Sequence, residues 1–339
     1  MSIKAPDEIT QLVKKSYPQD WIAYYKAQTQ EKILFMELLN ELCSQISKPK
    51  RKNRGRPPSD LGDMVFACCL KIYLDSSSRR SRSDIKMAEE LGYLDHTPHF
   101  NTVLKYLRKP ELKKFLTKLI QLSAKPLKEV EENFAMDASG FSTVSTFSWN
   151  KCKRSHFDRK KFKKAHVMCG VKTNIITHIE VSDGSVHDTK MFNNLLRNTT
   201  ENFEVREVYA DKGYSSEKNL SFASKQGVIP FIPFIRSVKS VSDEKMLIWR
   251  VMFKYFKDHK VEFMEHYHRR SNVETVFAMM KRKFGCFVRA KSSVGRENEV
   301  LCKALCHNIC VLIQETFELG ITVDFSNFES LDFMCKIRK

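Results

Sequence analysis

The chain has 339 residues, with 58 Lys and Arg against 40 Asp and Glu, which gives a formal net charge of +18. This balance favours a polyanionic partner, because a strongly positive potential concentrates phosphate groups near a protein. The length, with 42% hydrophobic residues and 24 Phe, allows one large domain and a smaller one with packed cores. No run of 18 apolar residues and no dominant basic amphipathic helix occurs, so the sequence predicts no membrane association.

The N-terminal residues and the cysteines bear on the compartment. The opening MSIKAPDEITQLVKK lacks the apolar core of a secretory signal, which predicts a cytoplasmic protein. Ten cysteines at irregular spacing, without a Cys-x2-Cys pair, suit a reducing compartment. Cys302, Cys306 and Cys310 beside His307 suggest a metal site. Their four-residue spacing along one helix favours simple core packing instead.

The N-terminal quarter divides into a helical segment and a basic linker. Apolar residues recur at helical spacing within residues 1–46, especially from Trp21 to Ile46. Residues 47–59, SKPKRKNRGRPPS, carry six cations, no acid and three prolines, which predicts a flexible linker. Arg54 and Arg56 flank a glycine as in an AT-hook, whose arginines lie in a narrow A·T minor groove. A generic basic linker explains the composition equally well.

Residues 60–128 show helical patterns interrupted by polar turns. Ser83-Asp84 is expected to cap one helix and Thr97 the next, with a turn at Gly92 between them. This spacing fits a helix-turn-helix DNA-binding domain. Its second helix would present four side chains to a DNA groove: Asn101, Thr102, Lys105 and Tyr106. An ordinary helical bundle produces the same pattern.

Residues 129–320 are predicted to form an α/β domain, followed by a C-terminal tail at 321–339. β-branched and apolar runs predict strands near 134–143, 165–171, 174–181, 205–210 and 228–232, with helices near 187–196, 246–256 and 299–319. Asp137 ends the apolar run NFAM, and Asp211 ends EVYA. Each is followed within three residues by glycine, so both are expected at strand ends.

A third carboxylate lies in a predicted helix that runs from His266 to the closing Gly285. At about 100° per residue, Glu274 shares an arc of roughly 60° with three other polar residues: Tyr267, Arg270 and Lys281. Carboxylates that converge repel one another unless divalent cations neutralise them, and Mg²⁺ is usually held by a few carboxylates plus substrate phosphates. Convergence of Asp137, Asp211 and Glu274 therefore predicts a phosphodiester substrate.

The three acids, together with the spacing Tyr-x2-Arg-x3-Glu-x6-Lys from Tyr267 to Lys281, resemble the DDE transposases of prokaryotic insertion sequences. YADKGY at 209–214 and GSVHDTK at 184–190 are also similar to segments of those enzymes. The resemblance spans residues 133–285. It implies a ribonuclease H-like mixed sheet flanked by helices, with Asp137 and Asp211 on neighbouring strands. The short interval from Asp211 to Glu274 predicts that the β-rich insertion of some relatives is absent.

The resemblance also implies an activity, which is metal-dependent DNA strand cleavage followed by strand transfer. Asp137, Asp211 and Glu274 would be the catalytic residues and would hold two Mg²⁺ ions, for which Mn²⁺ can substitute. Three further residues of the signature would contact the DNA backbone: Tyr267, Arg270 and Lys281. The implied partners are double-stranded DNA, as terminal inverted repeats and as target, and a second copy of the chain on paired ends.

A basic segment lies between the first two predicted strands. Residues 151–164, KCKRSHFDRKKFKK, contain eight cations and one acid. Lys160 and Lys161 are expected to bind the DNA backbone beside the active site. Three aromatic residues are candidates for stacking on exposed bases: Trp149, Phe157 and Phe162. A solvated basic loop is the simpler interpretation.

Two other functions would use the same residues differently. A ribonuclease H-like nuclease would need the same acids but would cleave without joining strands. A non-catalytic DNA-binding protein derived from a transposase would not need all three acids. The roles of His187 and Asp188 also stay open, since an additional ligand near the metals and a helix cap are equally good interpretations.

Overall fold

The computed structural model describes residues 20–47, 59–144, 162–235 and 246–325. The first part of the chain is helical, as predicted, with α1 (Trp21–Ser44), α2 (Leu61–Tyr73), α3 (Ser81–Glu90), α4 (Phe100–Leu107) and α5 (Leu112–Ala124). The proposed AT-hook at Arg54 and Arg56 lies outside the described residues. So do Lys160, Lys161, Trp149 and Phe157.

The second part of the chain combines a sheet with helices. Its elements are β1 (Asn133–Ser142), β2 (Phe162–Gly170), β3 (Ile176–Asp183), α6 (Phe192–Thr200), β4 (Glu207–Ala210), α7 (Glu217–Lys225), β5 (Ile229–Phe231), α8 (Leu247–Asp258), α9 (Lys260–His268), α10 (Ser271–Phe284) and α11 (Ser293–Glu318). The strand order is β3-β2-β1-β4-β5. β1, β2 and β3 pair antiparallel, whereas β4 pairs parallel with β1 and with β5. This mixed sheet with flanking helices confirms the α/β, ribonuclease H-like fold.

Helix α11 is the central core helix. Ser292 caps its start by accepting a hydrogen bond from the Gly295 N–H. By length and composition α11 is apolar enough to cross a membrane, but 78% of its most apolar window is buried inside the protein. Cys302 and Cys306 are fully buried within it, which confirms that they pack in the core. The His307 ring nitrogen Nε2 lies 3.0 Å from the Asn174 carbonyl oxygen.

The same helix joins the two parts of the chain. α11 contacts α1, α2 and α5 on one side and β3 on the other. The buried apolar residues form one cluster that extends from Ala27 to Phe325. The N-terminal helices are therefore packed on the elements that carry the sheet.

Two predicted helix caps in the N-terminal region are wrong. α3 begins at Ser81, ahead of Ser83-Asp84, and has no side-chain cap. α4 begins at Phe100, where the His99 side chain accepts the hydrogen bond from the Asn101 N–H. The Thr97 hydroxyl instead donates to Glu89 of α3, so this threonine ties the turn to α3 rather than capping the helix.

One of the four residues expected to face a DNA groove is turned inward. Tyr106 is only 8% exposed, and its hydroxyl donates to the Ser59 carbonyl oxygen over 3.1 Å. The prediction that Tyr106 faces a groove is therefore wrong, because its ring completes the packing beneath α4. Asn101 and Lys105 lie on the exposed side of α4.

Candidate catalytic site

The first two acids lie side by side on neighbouring strands, as the resemblance implied. β1 and β4 run parallel with Met136 opposite Ala210, so the next residue on each chain is Asp137 and Asp211. Asp211 follows the end of β4, as predicted. Asp137 does not end its strand, because the pairing of β1 with β2 continues through Ser142. The longer strand fixes the backbone on both sides of Asp137.

Asp137 is held in a desolvated and negatively charged environment. Burial raises the pKa of its carboxyl group to about 6, even though the Ala138 N–H and Arg270 favour the ionised form. The nearby carboxylates of Asp211 and Asp188 raise this pKa further. Such a cluster of acids has a strong electrostatic preference for a cation.

The predicted continuous helix from His266 to Gly285 is wrong, because it consists of two helices. α9 ends at His268 and α10 begins at Ser271, and Arg269 and Arg270 form the turn between them. The N–H of Arg270 bonds three residues back, to the Tyr267 carbonyl oxygen at 2.9 Å. Gly285 does close α10, with a φ of +82° that suits glycine. The arc calculated for one straight helix therefore does not apply.

A buried polar network holds this turn against the sheet. Glu207 of β4 is 7% exposed, accepts a hydrogen bond from the Tyr209 hydroxyl at 2.6 Å and lies 2.8 Å from His266 Nδ1. The Arg269 guanidinium donates to the Tyr209 hydroxyl at 3.1 Å. Burial alone would raise the pKa of Glu207, but Tyr209, His266 and Arg269 lower it below its ordinary value. The sequence analysis missed this network, although Glu207 and Tyr209 have the two-residue spacing of one strand face.

Arg270 joins the first and the third acid. One guanidinium nitrogen, Nη1, donates to Asp137 Oδ2 at 2.6 Å, and Nη2 donates to Glu274 Oε1 at 2.5 Å. Burial opposes the charge on Arg270, but the charge of Asp137 raises its pKa above the ordinary value. The carboxylates of Asp137 and Glu274 therefore lie on either side of a single guanidinium group. The Glu274 side chain is 60% exposed.

The other two residues of the signature lie on either side of this cluster. The Tyr267 hydroxyl is 3.5 Å from Asp211 Oδ1. The Lys281 ammonium donates to the Ser139 hydroxyl at 2.6 Å. Since Ser139 is two residues after Asp137, it projects from the same face of β1. The structure thus brings together, at the middle of the sheet, the residues Asp137, Asp211, Glu274, Tyr267, Arg270 and Lys281.

The segment that contains His187 and Asp188 lies next to the second acid. Asp188 Oδ1 is 2.5 Å from the Lys164 ammonium and 3.3 Å from His166 Nδ1. The Thr189 hydroxyl donates to the Gly213 carbonyl oxygen at 2.5 Å. GSVHDTK and YADKGY are therefore in direct contact. Asp188 pairs with β2, so it ties this segment to the sheet as well as starting a short 3-10 turn.

Part of the predicted basic loop belongs to β2. Phe162 is 1% exposed, so its predicted stacking on DNA bases is wrong. Lys163 is also buried, and its ammonium is paired with Asp183 at 2.7 Å and Glu297 at 2.9 Å. These residues are covered because β2 is buried along its whole length.

The chemistry of the acids fits divalent metal ions. Within the described ranges, no three His, Cys, Asp or Glu side chains form a preassembled metal cluster. The Tyr214 hydroxyl is buried without a hydrogen-bond partner in the described part of the chain, and the charges of Asp188, Asp137 and Asp211 act on it. Such an orphaned donor suits a hydrated, ion-binding site.

A mixed sheet with two acids on adjacent parallel strands and a third on a later helix defines the class of ribonuclease H-like DDE proteins. The family model described as the transposase DDE domain matches residues 129–309, which is more than half of the chain. The protein belongs to this family and is a transposase, for which DNA is the partner and divalent metal ions are typical. No curated protein sequence matches the chain.

Proposed function

We propose that this transposase binds the ends of its element and catalyses metal-dependent DNA strand cleavage followed by strand transfer. The observation that carries the proposal is the contact of one guanidinium, that of Arg270, with both Asp137 and Glu274. Asp211 lies beside Asp137 on the neighbouring strand. The three acids required by the chemistry therefore share one small region of the surface.

Asp137, Asp211 and Glu274 would hold two Mg²⁺ ions, or Mn²⁺ in their place. When bound, these ions supply Lewis-acid activation of a water or 3′-hydroxyl nucleophile and charge stabilisation of the leaving oxygen. The residues of the chain have a different task, which is to position the DNA. Arg270 contacts both Asp137 and Glu274, so its guanidinium is held where a phosphate of the DNA would approach these acids.

Three residues around the acids are suited to hold the DNA backbone. Arg270 can contact a phosphate with two nitrogens, and Lys281 supplies a compact positive charge. The Tyr267 hydroxyl, 3.5 Å from Asp211, can donate a hydrogen bond to the backbone at the cut. No covalent protein intermediate is needed, because the nucleophile is a water or a DNA hydroxyl.

We assign binding of the element ends to the basic N-terminal region and the segment before β2. Arg54, Arg56, Lys160 and Lys161 would contribute backbone contacts. Asn101, Thr102 and Lys105 of α4 would reach a groove. The protein would act as a homodimer on two paired ends, and its location would be cytoplasmic.

The proposal is tested with DNA that contains the sequences flanking the coding region. The full-length protein, with Mg²⁺, is incubated with labelled flanking DNA and a supercoiled target plasmid. We expect cleavage at inverted repeats and covalent joining of the 3′ ends to the plasmid. Cleavage without joined products would identify a nuclease instead. Binding without cleavage would identify a non-catalytic DNA-binding protein.

A further inference from the structure

We propose that a cleft between α2, α4 and the loop that joins α10 to α11 binds a backbone phosphate of duplex DNA. The cleft lies apart from the acids of the catalytic site. The inference rests on the proposed function in one respect, namely that DNA is the ligand. Its residues come from the N-terminal helices and from the catalytic domain, so the phosphate would be held where these two parts meet.

The most important residue of the cleft is Lys71. This lysine of α2 lines the cleft and is only 3% exposed. Its ammonium has no hydrogen-bond or ion-pair partner in the described part of the chain. The other buried lysines of the described ranges, Lys163, Lys164 and Lys303, all have such partners. Most of the Lys71 side chain is covered, and its ammonium lines the cleft without an acid paired to it. An anion that enters the cleft can therefore pair with this ammonium.

The charges around the cleft favour an anion. Arg108, Arg289 and Lys291 line it together with Lys71. Glu299 also lines it, but its two carboxylate oxygens accept hydrogen bonds from the Arg289 and Ala290 N–H groups, each at 2.8 Å. Arg289 is partly neutralised by Asp75, at 2.9 Å. The four cations still outnumber these two acids.

Hydroxyl donors complete the lining. Ser77 and Ser78 follow α2 and line the cleft. The neighbouring Ser76 hydroxyl is buried and has no hydrogen-bond partner in the described ranges. Hydroxyl groups beside cations are common ligands of phosphate oxygens.

Two helix ends at the cleft act differently on an anion. Lys291 immediately precedes Ser292, the cap of the 26-residue α11, so the positive end of this helix dipole lies at the rim. The carbonyl end of α4 would repel an anion. The carbonyl oxygens of Leu107, the last residue of α4, and of Lys109 just beyond it are occupied, however, because the Asn298 side chain donates to both at 2.9 Å.

The surroundings fit a continuous polyanion better than a single small ion. Cations on the outer surface beside the cleft are exposed, namely Arg79, Arg80, Arg108 and Lys109. α4, which lines the cleft through Leu104 and Leu107, carries the exposed Asn101 and Lys105 further along. A duplex that places one phosphate against Lys71 would place the next phosphates near these cations.

The test compares Lys71→Met with Lys225→Met in the full-length protein. Methionine keeps most of the aliphatic side chain of Lys71 and removes its charge. Lys225 is an exposed lysine of α7, which packs on α6, α8 and β5. Binding of random-sequence duplex DNA is measured by fluorescence anisotropy over a series of salt concentrations, and thermal unfolding is measured for each protein.

We expect Lys71→Met to weaken DNA binding about 5- to 10-fold and to reduce the slope of log K against log salt by about 1. Lys225→Met should retain wild-type binding. The melting temperature of Lys71→Met should stay close to that of the wild type, because methionine keeps the aliphatic packing and no ion pair is lost. A lysine that only stabilised the end of α2 would give a lower melting temperature.

Three results would overturn the proposal in different ways. Wild-type DNA affinity and salt slope in Lys71→Met would show that the cleft contacts no DNA phosphate, while the proposed function would stand. Stabilisation of the wild type, but not of Lys71→Met, by inorganic phosphate alone would assign the cleft to a free anion if DNA binding were unchanged. Absence of salt-dependent DNA binding by the wild type would contradict the proposed function itself.

Discussion

The two ends of helix α10 are held in opposite ways. At its N-terminal end, Glu274 is largely exposed and is held by one ion pair with Arg270. At its C-terminal end, the fully buried ammonium of Lys303 donates to the carbonyl oxygens of Phe284 and Gly285, each at 2.7 Å, and of Phe287 at 2.9 Å. The N-terminal end of α10 can exchange the ion-pair partner of Glu274, whereas the C-terminal end is fixed in the core.

This difference suits the role of metal ligand that we propose for Glu274. The last carbonyl groups of a helix lack partners within the helix, and Lys303 satisfies them and complements the negative end of the dipole. Burial lowers the pKa of Lys303 to about 8, which shows that its charge is kept at a cost. Lys283 adds a second anchor, because it pairs with the buried Glu31 of α1. The N-terminal end of α10, which carries Glu274, can therefore rearrange while the rest of the helix keeps its position.

Removal of the fixed anchor should have the largest effect. Lys303→Met leaves three buried carbonyl groups without their charged donor, and we expect a loss of about 3 kcal/mol in the free energy of unfolding. Chemical denaturation followed by circular dichroism measures this loss. Lys114→Met, at an exposed position of α5, is the matched control and should be neutral. Equal stability of both variants would refute the role of Lys303 as an anchor.

Removal of Arg270, the ion-pair partner of Glu274, should affect DNA cleavage rather than stability. For Arg270→Ala we expect about a 100-fold loss of DNA cleavage, the scale found when one charged group that stabilises a transition state is removed. Stability should change little, and Mn²⁺ should bind more tightly in the absence of DNA, because its competitor for Asp137 and Glu274 is gone. Arg282→Ala, an exposed residue on the same helix, is the control. Weaker Mn²⁺ binding by Arg270→Ala would contradict this competition.

The ionisation of Asp137, which pairs with Arg270, should make the stability of the folded protein depend on pH. The folded protein raises the Asp137 pKa from 3.8 to about 6, so it retains this proton to a higher pH than the unfolded chain does. In metal-free buffer, the wild type should therefore lose stability relative to Asp137→Asn as the pH rises from 3.8 to about 6. The total loss is on the order of 3 kcal/mol and should stay constant above that window. If the wild type gained stability relative to Asp137→Asn as the pH rises, Asp137 would not be desolvated.

The turn between α9 and α10 should show the smallest effect. Glu207→Gln weakens the contacts with His266 and Arg269 that hold the turn in place. We expect about a 10-fold decrease in kcat with unchanged DNA affinity, because Tyr267 and Arg270 are displaced but still present. Glu204→Gln, at an exposed position before β4, should behave as the wild type. About a 10-fold change in KM with an unchanged kcat would instead indicate that Glu207 acts directly in DNA binding.

The sequence predicted the elements better than it predicted their connections. All five strands were located to within a few residues, because runs of apolar and β-branched residues mark them directly. The break at Arg269 and Arg270 was missed, since neither arginine disfavours a helix. The break depends on contacts with Glu207, about 60 residues earlier. Local propensity carries no information on such a partner.

The candidate site shows the same limit. The acids and the spacing from Tyr267 to Lys281 could be read from the sequence, because the family signature is local. The contact of Arg270 with Asp137, the burial of Phe162 and the anchoring of Asp188 could not be read. Each of these features depends on which strands are neighbours, and strand order is set by the whole fold.

We propose that Asp137, Asp211 and Glu274 act together as one metal-dependent catalytic site. The most direct test is Mg²⁺-dependent cleavage of DNA that contains the sequences flanking the coding region, by Asp137→Asn, Asp211→Asn and Glu274→Gln. Each variant should remain folded, bind this DNA with wild-type affinity and lose cleavage by at least about 1,000-fold. Near wild-type cleavage by any one of the three would remove that residue from the site and contradict the account.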